Sequence, residues 1–201
     1  MNLNADERDY IEKQMREDFE RNLPTRLDRM IRVPIGSIGP LHHFAAPILE
    51  CRRMFIAGHF YGCISLVQAV AEAVARFLLS KNPHLTVPDP NEYGTVVNAL
   101  QRDRASPVIT PATFAAFGRI RGPRKGKEDR NVYHHLDEDI ELDPVKLEAR
   151  AEQCLLALHE IESDVFGFTI IDGKIVLKNE NYWDVDPATS MVRVMVRCEV
   201  I

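Results

Sequence analysis

The chain has 201 residues, 45% of them hydrophobic, and a formal net charge of −5. That length and composition suit one domain with a sizeable core. The acidic balance argues against a protein that coats nucleic acid non-specifically, because such binding depends on many cations that neutralise phosphate.

The start of the chain shows no targeting or membrane-spanning pattern. "MNLNADERDYIEKQ" has no basic segment followed by an apolar one, and no run approaches the roughly 18 apolar residues that span a bilayer. The four cysteines form no CxxC pair, and Cys63 and Cys154 lie in amphipathic patterns typical of small buried residues. We therefore expect a soluble cytoplasmic protein with no membrane contact.

Residues 4 to about 31 alternate charge signs densely and contain a thin apolar stripe. Its members recur at helical spacing: Tyr10, Ile11, Met15, Phe19 and Leu23. The pattern predicts an exposed or partner-packing helix that breaks at Pro24. "RVPIGSIGP" follows as a linker, so residues 1–38 are predicted to form a helical extension.

Residues 41–79 have strongly helical spacing, with possible division points at Gly58 and Gly62. The second part has a buried stripe, namely Ile64, Val67, Ala71, Val74 and Leu78. A polar column lies on another face, namely Ser65, Gln68, Glu72 and Arg76. This segment is predicted to stop near Pro83, which cannot continue a helix.

Three later helices are predicted by a shared start signal. Asp89-Pro90, Thr110-Pro111 and Asp143-Pro144 each place a capping side chain before a proline at the first helical position. The last of these helices is the clearest, because an apolar seam runs through it. Its members are Leu147, Ala151, Cys154, Leu158, Ile161 and Val165.

After Gly167 the periodicity changes from helix to strand. "FTIIDGKIVL" holds Asp172-Gly173 between two β-rich runs, which predicts a hairpin. "MVRVMVRCEV" alternates and predicts a further strand. The chain is thus expected to contain a helical domain at 39–166 and a small antiparallel sheet at 167–201.

Basic residues concentrate in one part of this acidic chain. Between Gln101 and Arg130 there are eight basic residues and three acids. A glycine-rich stretch, "GRIRGPRKGK", is predicted to be a mobile loop that contacts phosphate. Its candidate RNA-binding residues are Arg119, Arg121, Arg124, Lys125 and Lys127.

Familiar cofactor motifs do not match the sequence. In "GPRKGKED", Gly122 and Gly126 are one residue too close for a phosphate-binding P-loop, and Glu128 replaces the magnesium-binding hydroxyl. There is no HExxH, and adjacent histidines such as His134 and His135 point about 100° apart on a helix. We expect neither a metal nor another cofactor.

The stretch "EDRNVYHHLDED" follows this basic region. An arginine presents a permanently charged fork that matches two phosphate oxygens, and a histidine can take and return a proton near neutral pH. RNA supplies its own nucleophile, the 2′-hydroxyl. An arginine beside a histidine therefore suits metal-independent RNA cleavage, while the simpler interpretation is a solvated helix with ion pairs.

"RNVYHH" resembles the R-x(4–6)-H motif of the HEPN superfamily, in its R-N-x-x-x-H form. The long helix around "AGHFYGCISLVQAVAEAVARFLLSKN" and the helix after the motif are also similar to that family, over roughly residues 41–166. The resemblance implies a mainly α, HEPN-like helical bundle, here with an N-terminal helical extension and a small C-terminal antiparallel β-sheet. Many members of the family are metal-independent endoribonucleases of toxin–antitoxin and defence systems.

The resemblance also implies roles for particular residues. Arg130 would bind the phosphate and stabilise the transition state, Asn131 would support it, and His135 would transfer a proton. Glu72 would face the site from the long helix, and His134 would have a supporting role. On a regular helix, however, Arg130 and His134 lie about 40° apart, whereas Arg130 and His135 lie about 140° apart, so the working histidine stays open.

The family resemblance further implies a homodimer with a composite site and, for a toxin, an antitoxin partner protein. RNA is the expected substrate. The alternative is a catalytically silent HEPN-like module that binds RNA, a nucleotide or a protein. A third interpretation is a dimeric interaction module in which the motif is only a structural ion pair.

Overall fold

A computed structural model describes residues 4–33, 42–102, 107–122, 133, 143–172 and 174–183. Within these ranges the chain is mainly helical and carries a two-stranded antiparallel sheet, which confirms the predicted mainly α class with a small antiparallel sheet. The helices are α1 (Ala5–Arg32), α2 (Ala45–Ala57), α3 (Phe60–Lys81), α4 (Tyr93–Arg102), α5 (Pro111–Arg121) and α6 (Pro144–Val165); the strands are β1 (Phe168–Ile171) and β2 (Lys174–Leu177).

Helix α3 is the centre of the bundle, and it contacts α2, α4, α5 and α6. The predicted stripe on α3 is buried, from Ile64 to Leu78. The apolar seam of α6 faces it with Ala151, Cys154 and Ile161, which are fully buried. Apolar burial of this kind is the main stabilising contribution to a helical bundle.

The cysteines of the core behave as small apolar residues. Cys63 and Cys154 are buried and free, as predicted, and so is Cys51. Burial raises the pKa of Cys51 to about 12 and shifts the pKa of Cys63 in the same direction. These thiols therefore stay protonated and unreactive near neutral pH.

The predicted break of α1 at Pro24 is wrong, because the helix runs through this proline to Arg32. A proline inside a helix removes one backbone hydrogen bond, here the bond to the carbonyl of Glu20. Pro24 and Glu20 are both exposed, so water solvates the released carbonyl. Beyond the proline, Arg29 and Arg32 fasten the last turn of α1 to α6.

Two glycines in the α2–α3 region have different roles. Gly58 has a φ of +87° and its backbone N–H closes the C-terminus of α2, so it divides the two helices. Gly62 instead lies inside α3, where a Cβ would approach the methyl carbon of Met54 to 2.8 Å. The absence of a side chain there allows α2 and α3 to pack closely.

Two of the three predicted helix starts are confirmed. Thr110 and Asp143 are the N-caps of α5 and α6, and each is followed by a proline in the first turn. The third is wrong: α4 begins at Tyr93, three residues beyond Pro90. The side chain of Asp89 accepts from the N–H of Asn91 at 2.8 Å, which forms a local turn in place of a helix cap.

The hairpin predicted at Asp172-Gly173 is confirmed, with Phe168 paired to Leu177. It is attached to the end of α6, where the amide of Asn179 donates to the carbonyls of Asp164 and Val165 at 3.2 and 3.0 Å. These bonds satisfy carbonyls that the end of a helix leaves open. The further strand predicted in residues 191–200 lies outside the described residues, as does most of the predicted linker.

Helix α3 is also long and apolar enough to cross a membrane, but 56% of its most apolar stretch is buried inside the protein. The central helix of a bundle meets the same criterion, because both environments select a long apolar segment.

The junction between α1 and α6 generates a pH prediction. Hydrogen bonds from Arg29, supported by Arg32, hold the pKa of Glu148 below its usual value of 4.5. The unfolded chain lacks these bonds, so their stabilisation is complete above pH 4.5 and is lost as the pH falls through the lower folded-state value. Glu148→Gln should lower the free energy of unfolding by about 1 kcal/mol at pH 7.

Urea unfolding at pH 7 and pH 3 measures this difference. The gap between the wild type and Glu148→Gln should shrink at pH 3, and an equal gap at both pH values contradicts the assignment. Glu17→Gln is the control, because the side chain of Glu17 is 47% exposed and its partners, Lys13 and Gln14, are exposed neighbours on the same helix.

Candidate functional site

Helix α5 lies antiparallel to α6 and is fixed to it at both ends. At the start of α5, the hydroxyls of Thr110 and Thr113 donate to the carboxylate of Asp164. Near its end, Arg119 forms an ion pair with Glu160. These contacts hold the last turns of α5. The loop predicted for "GRIRGPRKGK" is wrong for residues 118–121, which belong to this helix, and residues 123–127, called the basic loop from here on, lie outside the described residues.

The last carbonyls of α5 are satisfied by two buried side chains. Arg150 of α6, only 6% exposed, donates to the carbonyls of Arg119 and Ile120 at 2.9 and 3.0 Å. Gln68 of α3 also donates to the carbonyl of Ile120, at 3.4 Å. A cation at the negative end of a helix is favourable, so Arg150 fixes where α5 stops.

Tyr133, the centre of "RNVYHH", is also held against α3. Its backbone is helical and its side chain is 1% exposed. The hydroxyl of Tyr61 donates to the backbone carbonyl of Tyr133, and the two rings lie 6.1 Å apart with a 39° tilt. Both a polar and an apolar contact therefore attach the middle of the motif to the first turn of α3.

Tyr61 belongs to the same face of α3 as the predicted polar column. At 100° per residue, Tyr61, Ser65, Gln68 and Glu72 lie within about 60° of one another. This column is largely buried: Gln68 is 1% exposed and Glu72 is 8% exposed and paired with Arg76. Ser65 Oγ and Gln68 Oε1 are buried without a hydrogen-bond partner in the described part of the chain.

The two contacts on α3 bracket the basic segment. Ile120 is bonded to Gln68 and Tyr133 is bonded to Tyr61, and these α3 residues are two turns apart, a rise of about 10 Å. The segment 123–132 therefore leaves and rejoins the described structure beside one polar face of one helix.

Most of the predicted site residues lie outside the described residues. These are Arg124, Lys125, Lys127, Arg130, Asn131, His134 and His135. Among the others, Arg119 is engaged in the ion pair with Glu160, and Arg121 packs over Gly94, where a Cβ would meet its guanidinium at 2.5 Å. Glu72 lies on the same face of α3 as Tyr61 but about three turns away from it, and it is paired with Arg76.

Tyr61 and Arg150 are parts of this site that the sequence pattern did not predict. A tyrosine at the start of an apolar helix and an arginine next to an apolar seam both look ordinary in sequence. Their roles become visible only in three dimensions, where Arg150 and Gln68 bond the end of α5 and Tyr61, on the same face of α3 as Ser65, bonds the motif. A helical wheel of α3 that included Tyr61 would have placed this residue on the same face as the predicted polar column.

A second buried polar cluster lies between α2 and α6. The ring of His42 stacks on Phe166 with centroids 4.2 Å apart, and its Nε2 lies 3.2 Å from the carboxylate of Glu162. Glu162 also lines a small pocket together with Arg52. Burial lowers the pKa of the Arg52 guanidinium. The pocket has room for about one water molecule, so we interpret this cluster as structural.

No family model matches the chain, and no curated protein or solved structure is significantly similar to it. The described residues contain no group of three or more His, Cys, Asp or Glu side chains placed to hold a metal ion. The residues of this chain and their geometry are therefore the basis for its function.

The Tyr61–Tyr133 contact can be tested through stability. Tyr61→Phe keeps the ring and removes the hydroxyl, so the buried carbonyl of Tyr133 loses its donor. The expected cost is about 1 kcal/mol, or a fall in Tm of roughly 2–4 °C for a chain of this size. Tyr10→Phe is the matched control on an exposed tyrosine, and equal Tm values for both variants would show that the anchor contributes nothing.

Proposed function

We propose that this protein is a HEPN-like, metal-independent endoribonuclease. The observation that carries the proposal is the attachment of both ends of segment 123–132 to the polar face of α3. That segment contains the basic loop and the start of "RNVYHH". A structural ion pair on a solvated helix does not require a buried polar face beneath it.

Chain connectivity supports the same proposal. Consecutive Cα atoms are 3.8 Å apart, so three peptide units span at most about 11 Å. Arg130 and His135 are three and two residues from Tyr133, which is bonded to Tyr61. This short separation along the chain from the first turn of α3 supports the proposal that an arginine, an imidazole and a phosphate meet there.

The chemistry follows from the residue types. His135 removes the proton of the 2′-hydroxyl or returns one to the leaving 5′-oxygen, and Arg130 stabilises the extra negative charge on phosphorus. The 2′-oxygen forms a bond to phosphorus while the bond from phosphorus to the 5′-oxygen breaks. The products are a 2′,3′-cyclic phosphate and a 5′-hydroxyl, with Asn131 orienting the imidazole or a phosphate oxygen.

The HEPN resemblance extends the proposal to partners and context. Two copies would bring two motifs together across a two-fold axis and form a composite site. A cytoplasmic toxin or defence protein would pair this activity with an antitoxin. No cofactor is required, because the RNA hydroxyl is the nucleophile.

The alternative is a silent HEPN-like module that binds RNA, a nucleotide or a protein. One observation favours it: Arg119 and Arg121 are engaged in intramolecular contacts, which leaves fewer of the predicted cations for catalysis and RNA contact. A silent module retains RNA binding and lacks cleavage, whereas the enzyme loses cleavage when the motif is changed.

The catalytic assignment is tested with purified protein and mixed RNA in EDTA. Arg130→Ala and His135→Ala should each lower the cleavage rate by at least about a hundredfold, and His134→Ala should have a much smaller effect. If His134→Ala is the inactive variant, the helical face is the better guide to the working histidine. A folded wild type that cleaves nothing contradicts the enzyme proposal.

The basic loop is tested through the salt dependence of RNA binding. Replacing both Arg124 and Lys125 with alanine should weaken binding and flatten the slope of log affinity against log salt by about one to two, since each phosphate contact contributes about 0.7 for a single strand. Arg53→Ala with Lys174→Ala is the control, because it removes the same charge from exposed positions elsewhere. An equal loss in both double variants would show that only net charge matters.

A further inference from the structure

Helix α1 presents an apolar stripe that the described protein does not cover. Every residue from Asn4 to Arg21 is exposed, and α1 contains no buried residue. Its large apolar side chains are 38–82% exposed. Six of them lie on one face and form the stripe, namely Ile11, Met15, Phe19, Leu23, Leu27 and Met30, whereas Tyr10 and Ile31 lie on other faces of the helix.

The exposed stripe is large enough for a protein interface. Its six side chains expose on the order of 600 Å², which is the area that each partner contributes at the lower limit of a specific interface. Most of the stability of a helix in a protein comes from packing of its apolar face, and only the end of α1 is bonded to α6. A second surface over the stripe would stabilise the free part of the helix.

One charged residue on the stripe has no acidic partner among the described residues. Arg26 lies two turns from Phe19 on the same face, and its guanidinium is 5.2 Å from the centre of that ring. Its Nε is buried without a hydrogen-bond partner. A carboxylate that a second chain supplied here would accept from this guanidinium.

The stripe is self-complementary about Phe19. Four residues to either side are Met15 and Leu23, and eight residues to either side are Ile11 and Leu27. Seven residues to either side are Glu12 and Arg26, two opposite charges. An antiparallel second copy with Phe19 on the two-fold axis therefore brings apolar side chains onto apolar side chains, and the Glu12 of each copy beside the Arg26 of the other.

We propose that α1 pairs antiparallel with the α1 of a second copy, centred on Phe19, and forms a homodimer. Such an interface uses the same patch on both subunits, as two-fold symmetry requires. The whole helix agrees with it: residues 5–18 hold six acids and three bases, and residues 19–32 hold four arginines and two acids. Antiparallel pairing places unlike halves together, whereas parallel pairing places like charges together.

This inference goes beyond RNA cleavage and does not rest on it. It assigns a surface of the extension, which lies outside the part of the chain that resembles HEPN proteins. The excess of acids in the first half of α1 also disfavours an anionic membrane as the covering surface.

The experiment is sedimentation of the full chain and three charge variants at a series of concentrations. Glu12→Arg places two arginines together and Arg26→Glu places two glutamates together, so each should weaken dimerisation at least tenfold. The combination Glu12→Arg/Arg26→Glu in one chain should restore it, because each new arginine then faces a new glutamate. Parallel pairing predicts no restoration, and that result overturns the proposal.

Two further variants distinguish a change on the stripe from a change of charge elsewhere on α1. Phe19→Lys should give a monomer, whereas Glu17→Arg, on the opposite face of α1, should dimerise as the wild type does. Circular dichroism checks that the bundle remains folded. A monomeric wild type at tens of micromolar, a dimer insensitive to Phe19→Lys, or binding of the monomer to phosphatidylcholine vesicles through Phe19 would each overturn the proposal.

Discussion

The hydrogen bonds from the buried guanidinium of Arg150 to the end of α5 are the interaction on which the proposed site depends. A helix that ends inside a protein must find donors for its last carbonyls, and α5 finds them in Arg150 and Gln68. A buried charge is costly unless it is fully bonded. Removing Arg150 would therefore leave the carbonyls of α5 unsatisfied and would release the point from which the basic loop departs.

The other end of that loop is defined by Tyr61 through its contact with Tyr133. The two anchors give α3 a double role, because one face forms the apolar core and another carries a buried polar column. Ser65 Oγ, between the anchors, and Gln68 Oε1, at one of them, have no hydrogen-bond partner within the part of the chain that the structure describes. Buried polar atoms of this kind are disfavoured in a purely structural helix, and they are consistent with a site that receives a donor from a motif residue or a ligand.

Apolar periodicity predicted the helices and the turn chemistry predicted the hairpin, because both patterns report local geometry. Thr110 and Asp143 were identifiable as caps for the same reason. Pro24 and Asp89 were misinterpreted, since a water-exposed proline is tolerated inside α1 and an aspartate can bond its own turn before a helix starts. The roles of Tyr61 and Arg150 depend on contacts between residues 72 and 31 positions apart, and no local pattern encodes such distances.

The central claim is that RNA is bound beside the polar face of α3. Ultraviolet cross-linking with a 4-thiouridine oligonucleotide whose 2′-hydroxyls are methylated tests it directly, because such an RNA binds without being cleaved. Mass spectrometry of the cross-linked peptides should locate the RNA within residues 119–135 and the first turns of α3. Cross-links confined to α1 or to the hairpin, with none in residues 119–135, would contradict the account.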